Sequence, residues 1–155
     1  MTTTWNPAWL PATAVSLLSL MLGACSTSAP DNLGPQADGT LAPCPGKPNC
    51  VVSSGPPKND KHRIEPLPAD GNQWEQLPGV LADMSGIKVE KQEENYLRAT
   101  ATTRVLRFVD DLEFLHKPDE RIIHVRSASR IGYSDLGANR KRVEAIRARL
   151  EKARN

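Results

Sequence analysis

Two adjacent carboxylates, Asp110 and Asp111, stand one hairpin's length before His124, Arg126 and Arg130, the densest grouping of chemically useful side chains in the sequence. A carboxylate beside an imidazole can move a proton, and two guanidinium groups can hold a carboxylate or phosphate. The set therefore fits a hydrolase in which Asp110 or Asp111 works with His124 while Arg126 and Arg130 bind an anionic substrate. The same arginines, joined by Ser129, Asn139 and Arg140 near the start of a helix, equally describe an anion-binding surface that leaves its ligand unchanged. No Ser-His-Asp set is legible, the glycines lack a phosphate-loop spacing, and His116 and His124 are not spaced as zinc ligands. No metal and no other cofactor is expected. The noncatalytic reading, a binding or accessory module, is preferred over the hydrolase.

A different chemistry is written near the start of the chain. Ala12 to Ala24 is an uncharged run rich in Leu, Ala and Ser, too short for a helix to cross a hydrocarbon core of about 30 Å. It reads as the core of an export signal. It closes on Leu22-Gly23-Ala24-Cys25, which resembles the bacterial lipobox, whose cysteine receives a diacylglyceryl group before cleavage. Small side chains suit a peptidase cleft, and Ser26-Thr27-Ser28-Ala29-Pro30 suits a tether, since Ser and Pro build no core. Residues 1–24 are thus expected to be a signal peptide, 25–40 a lipid-anchored linker and 41–155 a single domain. Ser26 after Cys25 points to an outer membrane facing the periplasm of a bacterial envelope. The rival reading is an uncleaved hydrophobic N-terminus with a buried Cys25.

An oxidising envelope makes the remaining cysteines, Cys44 and Cys50, better candidates for a bridge than for free thiols. The intervening Pro45-Gly46-Lys47-Pro48-Asn49 already bends the chain. A redox motif needs two intervening residues, and the nearest histidine is His62, so a structural disulfide is preferred over a metal or redox site.

The elements that must position these groups follow from periodicity. With 39% hydrophobic and 25% charged residues, 155 residues suit one globular domain, and a net charge of +2 argues against a nucleic-acid binder. Ten of thirteen prolines fall between Pro30 and Pro78, which makes the first part of the mature chain irregular. Trp74, Leu77, Leu81 and Met84 predict a helix over 72–84, kinked or reset at Pro78-Gly79. Alternation predicts strands over 87–92, 96–103, 107–116 and 122–129, an antiparallel meander. Leu136, Asn139, Val143, Ile146 and Leu150 predict an amphipathic helix from Asp135 to about Ala153. The fold class is α+β: an antiparallel sheet of about four strands, a long C-terminal amphipathic helix and an irregular Pro-rich N-terminal part, with helices covering one face of the sheet.

With His116 set opposite Arg121, Glu113 falls opposite His124, Asp111 opposite Arg126 and Asp110 opposite Ser127. Phe108, Leu112, Phe114, Ile123 and Val125 then share a core face, and Arg107, Asp111, Glu113, His124 and Arg126 the other, joined by Arg98 and Thr100. That second face is expected to be solvated, with cross-strand ion pairs. Asp110 interrupts the core face and Asn139 the helix stripe. Each needs partners, and Ser127, Ser129, Arg130 and Asn139 are the candidates to satisfy Asp110 in a structural latch, preferred over a ligand pocket. Residues 126–155 hold nine Lys and Arg against three acids, so the last helix is expected either near anionic headgroups or simply solvated.

Three stretches resemble one family: Pro43-Cys44-Pro45; Pro48-Asn49-Cys50-Val51-Val52-Ser53-Ser54; and Phe108-Val109-Asp110-Asp111-Leu112-Glu113-Phe114. Arg126 to Arg140, within RSASRIGYSDLGANRKR, is the most specific fourth. The chain from about Leu41 to Leu150 is similar to the domain of unknown function 1499 family. That resemblance implies kinship with bacterial envelope and plant plastid proteins, and no established reaction, cofactor or partner. The expected partners are a membrane, through the anchor on Cys25, and a small anionic ligand or an envelope protein.

Overall fold

The computed structural model describes Met1 and residues 28–56 and 60–154. Cys25, the export signal and the start of the expected linker lie outside the described residues. Strands β1 (Cys50–Val52), β2 (Leu67–Pro68), β3 (Ile87–Gln92), β4 (Tyr96–Thr102), β5 (Val109–Lys117) and β6 (Ile122–Ser129) form one antiparallel sheet. Helices α1 (Gln73–Ala82) and α2 (Ala138–Ala153) complete the α+β fold. The order is β1-β6-β5-β4-β3, with β2 also on β6. The expected four-strand meander is β3 to β6. The two further strands come from the Pro-rich part, where three and two residues suffice to pair successive stretches of β6. Pro68 is tolerated because β2 lies on an edge and needs no full ladder.

Leu97, Ala99, Ala101, Leu112, Phe114, Ile123 and Val125 alternate onto one face and meet Leu77 and Leu81 of α1 and Val143, Ile146 and Leu150 of α2. Helix α1 runs through Pro78 without interruption. Gly86, before β3, has φ +81° and lies so close to Thr102 that a Cβ would stand 2.6 Å from its carbonyl oxygen, so only glycine fits the turn. On the opposite face Tyr96, Leu115 and Ala128 pack against Leu41, Cys44, Cys50 and Val52. Both cores are therefore complete within residues 41–150.

The sheet is covered on both faces, not one. A Pro-rich strap crosses the second face, held by the Cys44–Cys50 disulfide and by the Pro35–Leu41 bridge. Within the stretch 25–40, Gly34 donates its N–H to Glu113 across 2.7 Å, and Leu41, just after it, is buried. The strap also removes the solvated face expected on that side. Asp111, Glu113 and Arg126 are 1%, 0% and 3% exposed.

Candidate functional site

Strand alternation and register build the site together. Lys117 pairs with Ile122 around a 3-10 turn, Pro118–Glu120, closed by Arg121 at φ +55°. This loop moves the register by two residues from the expected one. Glu113 therefore faces Arg126, Asp111 faces Ala128, Asp110 faces Ser129 and Leu115 faces His124. A shift of two preserves every face assignment while changing every partner. Phe108 and Arg107 precede β5 rather than lying in it, and Phe108 is exposed, outside the core.

On the strap face three donors converge on Glu113. Gly34 N–H and the Tyr96 hydroxyl (2.9 Å) donate to Oε1, and Arg126 Nη1 donates to Oε2 across 2.8 Å. Burial, with the Glu113 charge beside it, pushes the Tyr96 hydroxyl far above its usual range, so it remains a donor. Asp111 is gripped by Arg130 in a bidentate pair, Nε to Oδ2 and Nη2 to Oδ1, both 2.8 Å. Those hydrogen bonds raise the Arg130 guanidinium's already high pKa. Between sheet and strap lies a cavity of about 390 Å³ lined by Asp111, Arg126, Ser129, Arg130 and, from the strap, Pro30 and Asn32. Arg126 Nε is buried and has no hydrogen-bond partner among the described residues. A buried N–H without an acceptor is costly and marks a place for one.

The latch occupies the helix face. Arg142 Nη2 donates to Asp110 Oδ2 across 2.7 Å, and its Nη1 donates to Asn139 Oδ1 across 2.8 Å. Ser127 Oγ donates to the same Asn139 oxygen. Asn139 Nδ2 faces Asn49 O, Ser129 Oγ and Asp135 Oδ2 at 3.1, 3.0 and 2.8 Å, three acceptors for two hydrogens. Three of the four expected partners, Ser127, Ser129 and Asn139, thus belong to the network around Asp110. Arg130 does not, because it serves Asp111 on the other face. Arg142 takes its place, and its signal in the sequence was its position three residues after Asn139, on the same edge of the helix.

Helix α2 begins at Ala138, later than expected, since Gly137 (φ +80°) and Leu136 (φ +52°) are left-handed. Leu136 consequently leaves the core stripe and is exposed. Asp135 accepts the Gly137 and Asn139 N–H groups at 2.9 and 2.8 Å. Burial pushes its carboxyl up, but these N–H donors outweigh burial and leave it below the usual range. Arg140 lies apart from the cavity, donating to the carbonyls of Lys61 and Arg63 at 3.0 and 2.6 Å. Arg147 likewise reaches Glu65 and Pro66 carbonyls, and Arg154 reaches Asp70. Much of the basic helix is spent on tying down residues 61–70.

The hydrolase constellation is not assembled. Asp110 and Asp111 face opposite sides, and His124 pairs with Leu115, four residues and about 13 Å along β5 from Asp111. His124 Nδ1 instead stands 3.3 Å from Ser53 Oγ, which accepts the Val125 N–H across 2.8 Å. Burial lowers the pKa of both His124 and His116, the latter stacked on Trp74 at 5.0 Å between centroids. Among the described residues no group of three or more His, Cys, Asp or Glu could hold a metal ion, and no helix is long and apolar enough to cross a membrane.

The model of a family described as a protein of unknown function (DUF1499) matches residues 40–150, which span both cores, the strap's disulfide, the helix-face network and, apart from Gly34, the donors to Glu113. No curated protein and no solved structure matches the chain.

Proposed function

The chain belongs to the DUF1499 family, and from that premise we propose that it is a lipid-anchored protein of the bacterial cell envelope whose domain binds a ligand without transforming it. The observation that carries the binding reading is Arg126. Its Nη1 is committed to Glu113, its Nε has no acceptor among the described residues, and it lines a cavity large enough for a small molecule. The cavity's charges are nearly matched, Arg126 by Glu113 and Arg130 by Asp111. A ligand carrying a single negative charge, as a carboxylate or a phosphodiester does, suits this balance better than a multiply charged anion. Separation of Asp110, Asp111 and His124 speaks against the hydrolase. Supporting the envelope reading are the lipobox-like Leu22-Gly23-Ala24-Cys25, the residue Ser26 favouring an outer membrane, and a disulfide of the kind oxidising compartments retain.

Mass spectrometry of the native protein under non-denaturing conditions tests both parts. Expected are a chain beginning at a diacylglyceryl Cys25 and a retained small molecule that is lost in Arg126→Lys, which keeps a cation for Glu113 but removes the Nε donor. A protein with no retained mass, and no thermal shift with any carboxylate or phosphate tried, overturns the binding reading. Absence of labelled fatty acid at Cys25 overturns the anchor.

A further inference from the structure

The large apolar side chains left exposed are concentrated at one end of the molecule. Among the described residues, apart from Met1, they are Val105, Leu106 and Phe108 in the β4–β5 loop and Ile131, Tyr133 and Leu136 in the β6–α2 loop. Thr102 pairs with Val109 and Asp110 with Ser129, so both loops leave the same end of the sheet. Val105, Leu106 and Leu136 are 87%, 67% and 89% exposed. The backbone contributes to this display. Arg107 (φ +56°) and Leu136 (φ +52°) are held in the left-handed region, which side-chain-bearing residues rarely adopt. Arg104 and Arg107 are interleaved with the apolar residues of the loop 103–108, which holds no acid, while the one acid of 131–137, Asp135, is engaged by the Gly137 and Asn139 N–H groups. Apolar tips among cations are the pattern of a surface that enters the headgroup region of a bilayer.

We propose that this end of the sheet is a docking surface for an anionic lipid bilayer. Its orientation rests on the anchor reading of Cys25. Pro30 lines the cavity together with Ser129 and Arg130, at the end of β6 from which the second loop leaves. Five residue steps separate Pro30 from Cys25, a reach of at most about 18 Å. A lipid on Cys25 holds the two loops at the membrane instead of turning them away from it. A protein partner would account for the apolar residues, but not for their lying at the end of the sheet where Pro30 lies.

Flotation with vesicles of phosphatidylethanolamine and phosphatidylglycerol tests the surface without the anchor, using the chain from Ser26 onward, which retains every residue of both cores. Binding is expected, at least tenfold weaker on phosphatidylcholine alone. The Val105→Ser/Leu106→Ser/Leu136→Ser variant is expected to lose at least tenfold with an unchanged Tm, and Arg104→Gln/Arg107→Gln to lose an intermediate amount. Equal binding by the triple variant, or no binding by the parent chain, overturns the proposal. So does a concentration-dependent dimer that the triple variant abolishes while vesicles go unbound, since the occupant is then a second copy. The mass of Cys25 in the natural protein separates the two readings. An unmodified cysteine with vesicle binding intact leaves the surface standing and removes the anchor, whereas a lipidated cysteine without vesicle binding does the reverse.

Discussion

Glu113 is a fully buried carboxylate whose donors come from three parts of the chain: Gly34 in the strap, Tyr96 in β4 and Arg126 in β6. A charge so enclosed is tolerated only while every partner remains. Glu113→Gln leaves the Arg126 guanidinium buried without its counter-ion and is expected to cost about 3–5 kcal/mol in denaturant unfolding. Tyr96→Phe removes one hydrogen bond and should cost about 1 kcal/mol. Asp110→Asn is expected to cost about 2 kcal/mol, because Arg142 keeps its bond to Asn139 and loses only the charged partner. In a double-mutant cycle with Arg142→Met most of that loss should vanish, while ligand retention in the strap-side cavity stays unchanged. Equal losses in both backgrounds count against the latch. Asp110 and Asn139 stood out in the sequence because a polar residue on an apolar stripe must be satisfied somewhere. Glu113 did not stand out, since alternation assigns it to a face whose covering comes from residues some eighty positions earlier, and no local pattern reports that.

At the scale of elements, the strap is the least regular part and among the most consequential. Its disulfide closes a short ring in a chain already stiffened by Pro45 and Pro48, so Cys44→Ser/Cys50→Ser is expected to lose about 2 kcal/mol or less. The loss should fall on the strap. Hydrogen exchange is expected to rise at Leu41 and over β1 while β4 and β5 remain protected, and uniform loss across the sheet would contradict this. Strands β3 to β6 were legible within two residues because each alternates over six or more positions. Strands β1 and β2 were not, since three and two residues are too few for a period. The β5–β6 register was missed by two because a 3-10 turn with a left-handed Arg121 leaves no spacing signature, whereas the faces were right because an even slip conserves them. The start of α2 was misjudged for a similar reason. Leu136 fits the helical stripe by spacing, and only its left-handed backbone excludes it.

For the whole molecule, the pKa shifts give stability a definite slope with pH. Burial depresses His116 and His124, so the fold takes up their protons only at a lower pH than the unfolded chain, which does so near pH 6.5. Their contribution is complete above about pH 6.5 and is lost as pH falls through their folded values. The N–H groups facing Asp135 act with the same sign at lower pH, their contribution present above the ordinary aspartate range and lost as pH falls through its lowered value. Tm is therefore expected to decline from pH 7 to pH 5 and again below about pH 4. His116→Gln/His124→Gln should flatten the first decline and Asp135→Asn the second. A Tm that rises on acidification over either interval contradicts the assignment.

The pairing of β1 with β6 joins Cys50–Val52 to residues 126–128, more than seventy positions downstream. Any chain delivered from its N-terminus forward must therefore carry the strap unfinished until nearly all of it has emerged, with only local pieces such as the Cys44–Cys50 ring and the Pro35–Leu41 bridge able to close early. A nascent or clipped chain ending before Arg126 lacks both the strand that receives the strap and the cation that neutralises Glu113. Such fragments are expected to be degraded rather than to persist as half-built domains.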